Sequence, residues 1–164
     1  MEGIFQKHWT VGPESIDVLG HVNNREYLRW IEAGAIEHAA TLGWTAQAYL
    51  TRKQCWVVRE HWIEYLRPAF LGDELTLYTW VSRAEGARSL RRYAIVKDRK
   101  IICNAATEWA FVDLTTGRTT PMPPDVYETF KLVDDQSPQL RELGLSRRLR
   151  FLPYYEKNLE TDVR

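Results

Sequence analysis

Asp17-Val18-Leu19-Gly20-His21-Val22-Asn23-Asn24-Arg25-Glu26-Tyr27 gathers an acid, a glycine turn, a histidine and a helix start into one short stretch. Asn23 with Glu26 three residues later reads as an N-cap and its capping-box partner, and apolar periodicity begins at once with Tyr27 and Leu28. A helix therefore starts at about Asn24. Its first amides lack intrahelical acceptors and carry the positive end of the helix dipole, so they suit a developing negative charge. Downstream, Leu28, Ile31, Ala35, Ala39 and Leu42 form one apolar stripe, and Gly43 is a natural stop. Gly34 inside the stripe costs about 1 kcal/mol relative to Ala, which points to close packing against a strand.

Working outward, Ile4 to Val11 suits a first strand that Gly12-Pro13 breaks. Beyond the helix, Thr45 to Thr51 suits a short helical turn. The texture then becomes β-branched and aromatic in runs at Gln54 to Leu66, Glu74 to Arg83, Arg88 to Asp98 and Ile101 to Leu114. The separators are short enough for consecutive strands to be antiparallel neighbours. The pattern is α+β: a long helix against one curved antiparallel sheet. Asp125 to Phe130 reads as a short helix, and Asp134-Asp135-Gln136-Ser137-Pro138 as a boundary. Residues 1–133 are thus read as one domain and 134–164 as a C-terminal extension, with Arg147, Arg148 and Arg150 beside Phe151, Tyr154 and Tyr155. That extension is expected to be an ordered flap or a partner contact.

Three separated segments carry a family resemblance. D-x-x-G-H-V-N-N-x-x-Y at Asp17–Tyr27, Tyr65 through Asp73, and Trp109 through Leu114 with Gly117-Arg118 together resemble hotdog-fold thioesterases of the 4-hydroxybenzoyl-CoA thioesterase type. The resemblance implies the hotdog arrangement, a homodimer or dimer of dimers, no cofactor, and an acyl-CoA or acyl-carrier-protein substrate. It also implies that Asp17 is the catalytic carboxylate and that the amide at about Asn24 polarises the thioester carbonyl. The same stretch is similar to plant acyl-acyl-carrier-protein thioesterases, where D-x-N-x-H-V-N-N supplies Asp, Asn and His. Asp17 and His21 match, whereas Leu19 replaces the first Asn, so a mechanism through that side chain does not carry over.

Taken alone, Asp17 would be a turn residue, and the resemblance reverses that reading. A carboxylate near a helix N-terminus is favoured ionised, which suits a nucleophile or a base activating water. His21 is either catalytic or a structural residue that orients the loop. Asn23 is first a cap, able also to hold water or the substrate carbonyl, and Gly20 lets substrate approach the backbone. Tyr27 joins the substrate-binding set. Arg88, Arg91 and Arg92 read as a solvated strand face, with Arg91 the candidate contact for coenzyme A phosphates.

Composition bounds the alternatives. Hydrophobic residues make up 45% and charged residues 27%, and 22 Lys+Arg balance 22 Asp+Glu, which gives no electrostatic case for nucleic acid or an anionic membrane. No run suits a leader or a membrane span, so a soluble cytoplasmic protein is expected. Cys55 and Cys103 suit buried reduced thiols. His8, His38 and His61 lack ligand spacing, so no metal is expected. Neither G-x-S-x-G nor a P-loop occurs. Two alternatives stay open. One is a non-hydrolytic acyl-CoA-binding hotdog module. The other is a hotdog dehydratase or hydratase, which pairs Asp and His with N-P between them, a feature missing here.

Overall fold

The computed structural model describes residues 1–150. Phe151, Tyr154 and Tyr155 of the expected flap lie outside them. Five strands form one antiparallel sheet: β1 (Ile4–Thr10), β2 (Gln54–Tyr65), β3 (Glu74–Glu85), β4 (Arg88–Lys97) and β5 (Lys100–Asp113). A long helix, α1 (Asn24–Thr41), packs across one face. It is followed by α2 (Ala46–Arg52), and the chain ends in α3 (Pro124–Thr129) and α4 (Pro138–Glu142).

The sheet order is β1-β3-β4-β5-β2, which corrects the expectation that consecutive strands are neighbours throughout. β2 pairs with β5 and lies on the opposite edge from β1, so residues 66–73 must cross the end of the sheet to begin β3. Backbone bonds hold this crossing. The Leu66 amide donates to Ile102 O at 2.8 Å, and the Gly72 amide donates to Val11 O at 3.0 Å. The Val22 amide donates to Ala69 O at 2.9 Å, which ties the crossing to the Asp17 loop.

α1 lies on the face made by alternate strand residues: Leu75 and Leu77 of β3, Tyr93 and Ile95 of β4, and Cys103 and Ala105 of β5. Tyr27, Trp30, Ile31 and Ala35 fill the interface. Gly34 has the packing reason its position suggests, because a Cβ there would stand 2.2 Å from Leu77 Cδ2. The other face of the sheet is covered too. Leu140 of α4 and Leu145 beyond it pack with Ile4, Trp80 and Ala94.

That cover explains a second correction. Arg91 and Arg92 are not on a solvated face: they are 5% and 2% exposed. Adjacent strand residues point to opposite faces, and here both faces are covered. On the α4 side, Arg92 Nη1 pairs with Asp135 at 2.7 Å and Nη2 donates to Arg147 O at 2.8 Å. Arg88 is half-buried and bonded to Glu108, which is 1% exposed.

Candidate active site

The Asp17 loop closes on itself before the helix. The Asp17 amide donates to His21 O at 2.8 Å, and the Gly20 amide donates to Asp17 O at 3.0 Å. An isolated bridge between Ile16 and Val22 seals the neck. Gly20 sits at φ +80°, the left-handed region that a glycine occupies without strain. Asp17 Oδ1 accepts from the Leu19 amide at 2.8 Å and, more weakly, from the His21 amide at 3.4 Å. Its Oδ2 carries no hydrogen bond within the described residues, so the carboxylate is oriented but only half used.

The helix start follows at once. Asn23 caps α1 by accepting from the Arg25 amide at 2.9 Å, as its position predicts. The capping box is not formed. The Asn23 amide instead donates to Ser15 O at 2.8 Å, so Glu26 has no free cap amide to reach. Glu26 pairs with Arg29 at 2.7 Å and accepts from the Ser15 hydroxyl at 2.7 Å, and these, Arg29 foremost, hold its carboxyl below the usual range. Asn24 is the first helical residue, and its amide has no intrahelical acceptor.

These parts meet in one cleft of about 410 Å³, lined by Asp17, His21, Asn23, Asn24 and Tyr27 together with Tyr65 and Pro68. Gly20 lies between two lining residues, Leu19 and His21, and does not itself line the cleft. The His21 ring rests edge-on against Phe70, centroids 5.3 Å apart, so its backbone rather than its imidazole approaches Asp17. Tyr27 is buried against Tyr65 and Trp30, and burial pushes its phenol up to about 12, so it is a neutral wall. Tyr65 was not singled out as a site residue, yet its hydroxyl donates to Asn24 O at 3.2 Å and fixes the helix start. Its signal was position: it ends a strand run where the crossing begins.

Arg91 is not brought to this cleft. It lines a second cavity of about 340 Å³ under α2 and α3, beside the last turns of α1. There its Nη1 donates to His38 Nδ1 at 3.0 Å and to Thr79 Oγ1 at 3.3 Å. Because the Arg91 guanidinium has no lone pair with which to accept, Nδ1 must be the acceptor and the ring proton sits on Nε2. Burial, then the Arg91 charge, pushes His38 down to about 4 from its ordinary 6.5. The folded value is depressed, so the unfolded chain binds the extra proton between pH 6.5 and 4, and stability falls as pH is lowered through that window. The loss is on the order of 3 kcal/mol. Urea unfolding at pH 7 and pH 4.5 should show this component in wild type and lack it in His38→Gln, which keeps an acceptor and cannot titrate.

Among the described residues no group of three or more His, Cys, Asp or Glu is placed to hold a metal, and no helix is long and apolar enough to cross a membrane.

Residues 11–130 match the family described as the thioesterase-like superfamily. The chain is 30% identical over 118 residues to an acyl-CoA thioesterase, YbgC, of Haemophilus influenzae, covering 71% of this chain and 87% of that protein. Its fold resembles a 1,4-dihydroxy-2-naphthoyl-CoA thioesterase from Synechocystis, with a TM-score of 0.72 at 18% identity over 78% of this chain and 96% of that one. It also resembles an acyl-ACP thioesterase from Bacteroides thetaiotaomicron, with a TM-score of 0.68 at 20% identity over 73% of this chain and 50% of that one. With a long helix laid on a five-stranded antiparallel sheet and a sequence match running through the Asp17 loop, the chain belongs to the thioesterase-like superfamily and is a hotdog-fold thioesterase.

Proposed function

We propose that the chain hydrolyses an acyl thioester of coenzyme A or acyl carrier protein in the cleft before α1, with Asp17 as base or nucleophile. The observation that carries this reading is that the half-used Asp17 carboxylate and the first residue of α1, Asn24, whose amide has no partner among the described residues, line one cleft. The Asn24 amide would take the developing negative charge of the carbonyl oxygen, a donor typically worth about 2.7–4 kcal/mol. As base, Asp17 would take a proton from water as it attacks the carbonyl carbon. As nucleophile, it would form an acyl anhydride that water opens. Both routes release the thiol and the acid and need no cofactor. Asn23 is occupied as the cap, Tyr27 shapes the wall, and His21 keeps two possible roles, catalytic or loop-orienting. A contact of Arg91 with coenzyme A phosphates gains no support within one chain.

Gly20→Val tests the loop. A β-branched residue at φ +80° is strained by about 1–2 kcal/mol even though the space is open, and the strain falls on the turn that aims Asp17. Turnover should be lost while far-ultraviolet circular dichroism stays native. Normal turnover in this variant would remove the loop from the site.

The working form is proposed as a cytoplasmic homodimer. β2 is a long edge strand with Val57 and Val58 more than a third exposed, and Val18 and Leu19 protrude at the tip of the site loop. Unpaired edges and clustered apolar side chains are what a second copy covers. Two free thiols suit a reducing compartment. Light scattering at micromolar concentration should give twice the chain mass or a multiple of it, and a monomer would count against the dimer.

A further inference from the structure

We propose that the cavity beside the last turns of α1 binds a ligand with an apolar body and a terminal carboxylate, which Arg91 receives at the cavity floor. This goes beyond the hydrolytic reading and does not depend on it. The walls are apolar and aromatic, formed by Ile36, Trp44, Tyr49, Leu50, Trp56 and Phe130, and the volume of about 340 Å³ lies within the range of small-ligand sites, roughly 300–1,000 Å³. Arg91, almost wholly buried, is the one charged residue lining it among the described residues.

Its charge is not balanced by the protein. Among the described residues no carboxylate lies within ion-pair distance, and the two acceptors on Nη1 are a neutral histidine and a hydroxyl. The Phe130 face, 5.7 Å from the guanidinium carbon, offsets only part of the cost. An unpaired buried cation is expensive, so a group that merely filled space would be better replaced by an apolar one. Nε and Nη2 find no acceptor among the described residues, and Arg91 lines the cavity. Those two nitrogens are the edge of a guanidinium that grips a carboxylate through two parallel bonds. With a single cation available, a monoanion fits better than a phosphate dianion.

The carboxylate can come from a free acid or from the far end of a thioester's acyl group. Along α1 the Asp17 cleft reaches Tyr27 and this cavity begins at Ala35, eight residues or about 12 Å further on, and the two share no lining residue.

Calorimetric titration of the full chain with 3-phenylpropanoate and with 3-phenylpropanamide tests the proposal. The acid should bind and the amide should bind at least about tenfold more weakly. Arg91→Met should abolish that difference. Ala46→Trp, which narrows the cavity without touching Arg91, should weaken both ligands, while Asp17→Asn should leave acid binding unchanged. A parallel comparison of acyl-CoAs with and without a distal carboxylate separates the sources. An Arg91-dependent fall in KM identifies the acyl group, and its absence alongside acid binding identifies the free acid. No binding of the acid at millimolar concentration, equal binding of acid and amide, or a preference that survives Arg91→Met would each overturn the proposal. The calorimetric arms require no hydrolysis, so a failed thioesterase assignment would leave them interpretable, and only the KM comparison rests on turnover.

Discussion

Arg88→Met is expected to destabilise the protein by about 3 kcal/mol, the lower end of the range for breaking a buried ion pair. The reason lies in its partner. Glu108 of β5 is 1% exposed, and one of its carboxylate oxygens has no hydrogen-bond partner within the described residues. Removing the Arg88 guanidinium would leave that carboxylate inside a sheet covered on both faces. Arg88 itself is 32% exposed, so water compensates part of its own loss, and the upper end of the range, about 5 kcal/mol, is not expected. For a chain of this length the change corresponds to a fall in Tm of roughly 6–12 °C. Adding Glu108→Leu to the variant removes the stranded charge and should recover most of the loss, the sign pattern of a desolvated pair rather than of a surface contact. Urea unfolding of the two variants beside wild type checks this. A loss below 1 kcal/mol in Arg88→Met would show that Glu108 does not depend on it.

Asp17→Asn carries the largest expected effect on activity. The amide keeps the shape and can still accept from the Leu19 amide, so the loop should hold. What disappears is the charge that activates water or attacks carbon, and kcat should fall by about 10²–10⁴ with substrate affinity retained. His21→Ala removes only a ring that lies against Phe70, and its backbone contribution to Asp17 survives. It should cost much less if the histidine only orients the loop. If the two side chains work as one unit, either single change will be nearly as damaging as both together, and the double variant distinguishes these cases.

Much of the fold was legible because local chemistry dictates it. Asn23 marks the start of α1, the 3.6-residue stripe gives its buried face, and Gly34 reports its contact with β3. Strand order was not, because a link of several residues between β2 and β3 does not encode which edge it returns to. Only the long-range pairing of β2 with β5 decides that. The same limit governs the arginines. Arg91 and Arg92 look like a polar strand face, and what buries them comes from far along the chain: His38 on one side, Asp135 and residue 147 on the other. The Glu26 capping box failed for a related reason, since Ser15 outside the helix took the cap amide first. The Asp17 cleft was readable where it is local sequence, from Asp17 to Tyr27, whereas its distant wall, Tyr65 to Pro68, is brought there by the crossing and was missed as part of the site.

Release of free thiol from a panel of acyl-CoAs and acyl carrier proteins, by wild type with Asp17→Asn in parallel, tests the central claim most directly. The account predicts multiple turnovers by wild type with at least one thioester, and release slowed by at least about a hundredfold in the variant. Tight binding of acyl-CoA with no thiol released from any acyl group or carrier, or equal rates for the two proteins, would contradict it.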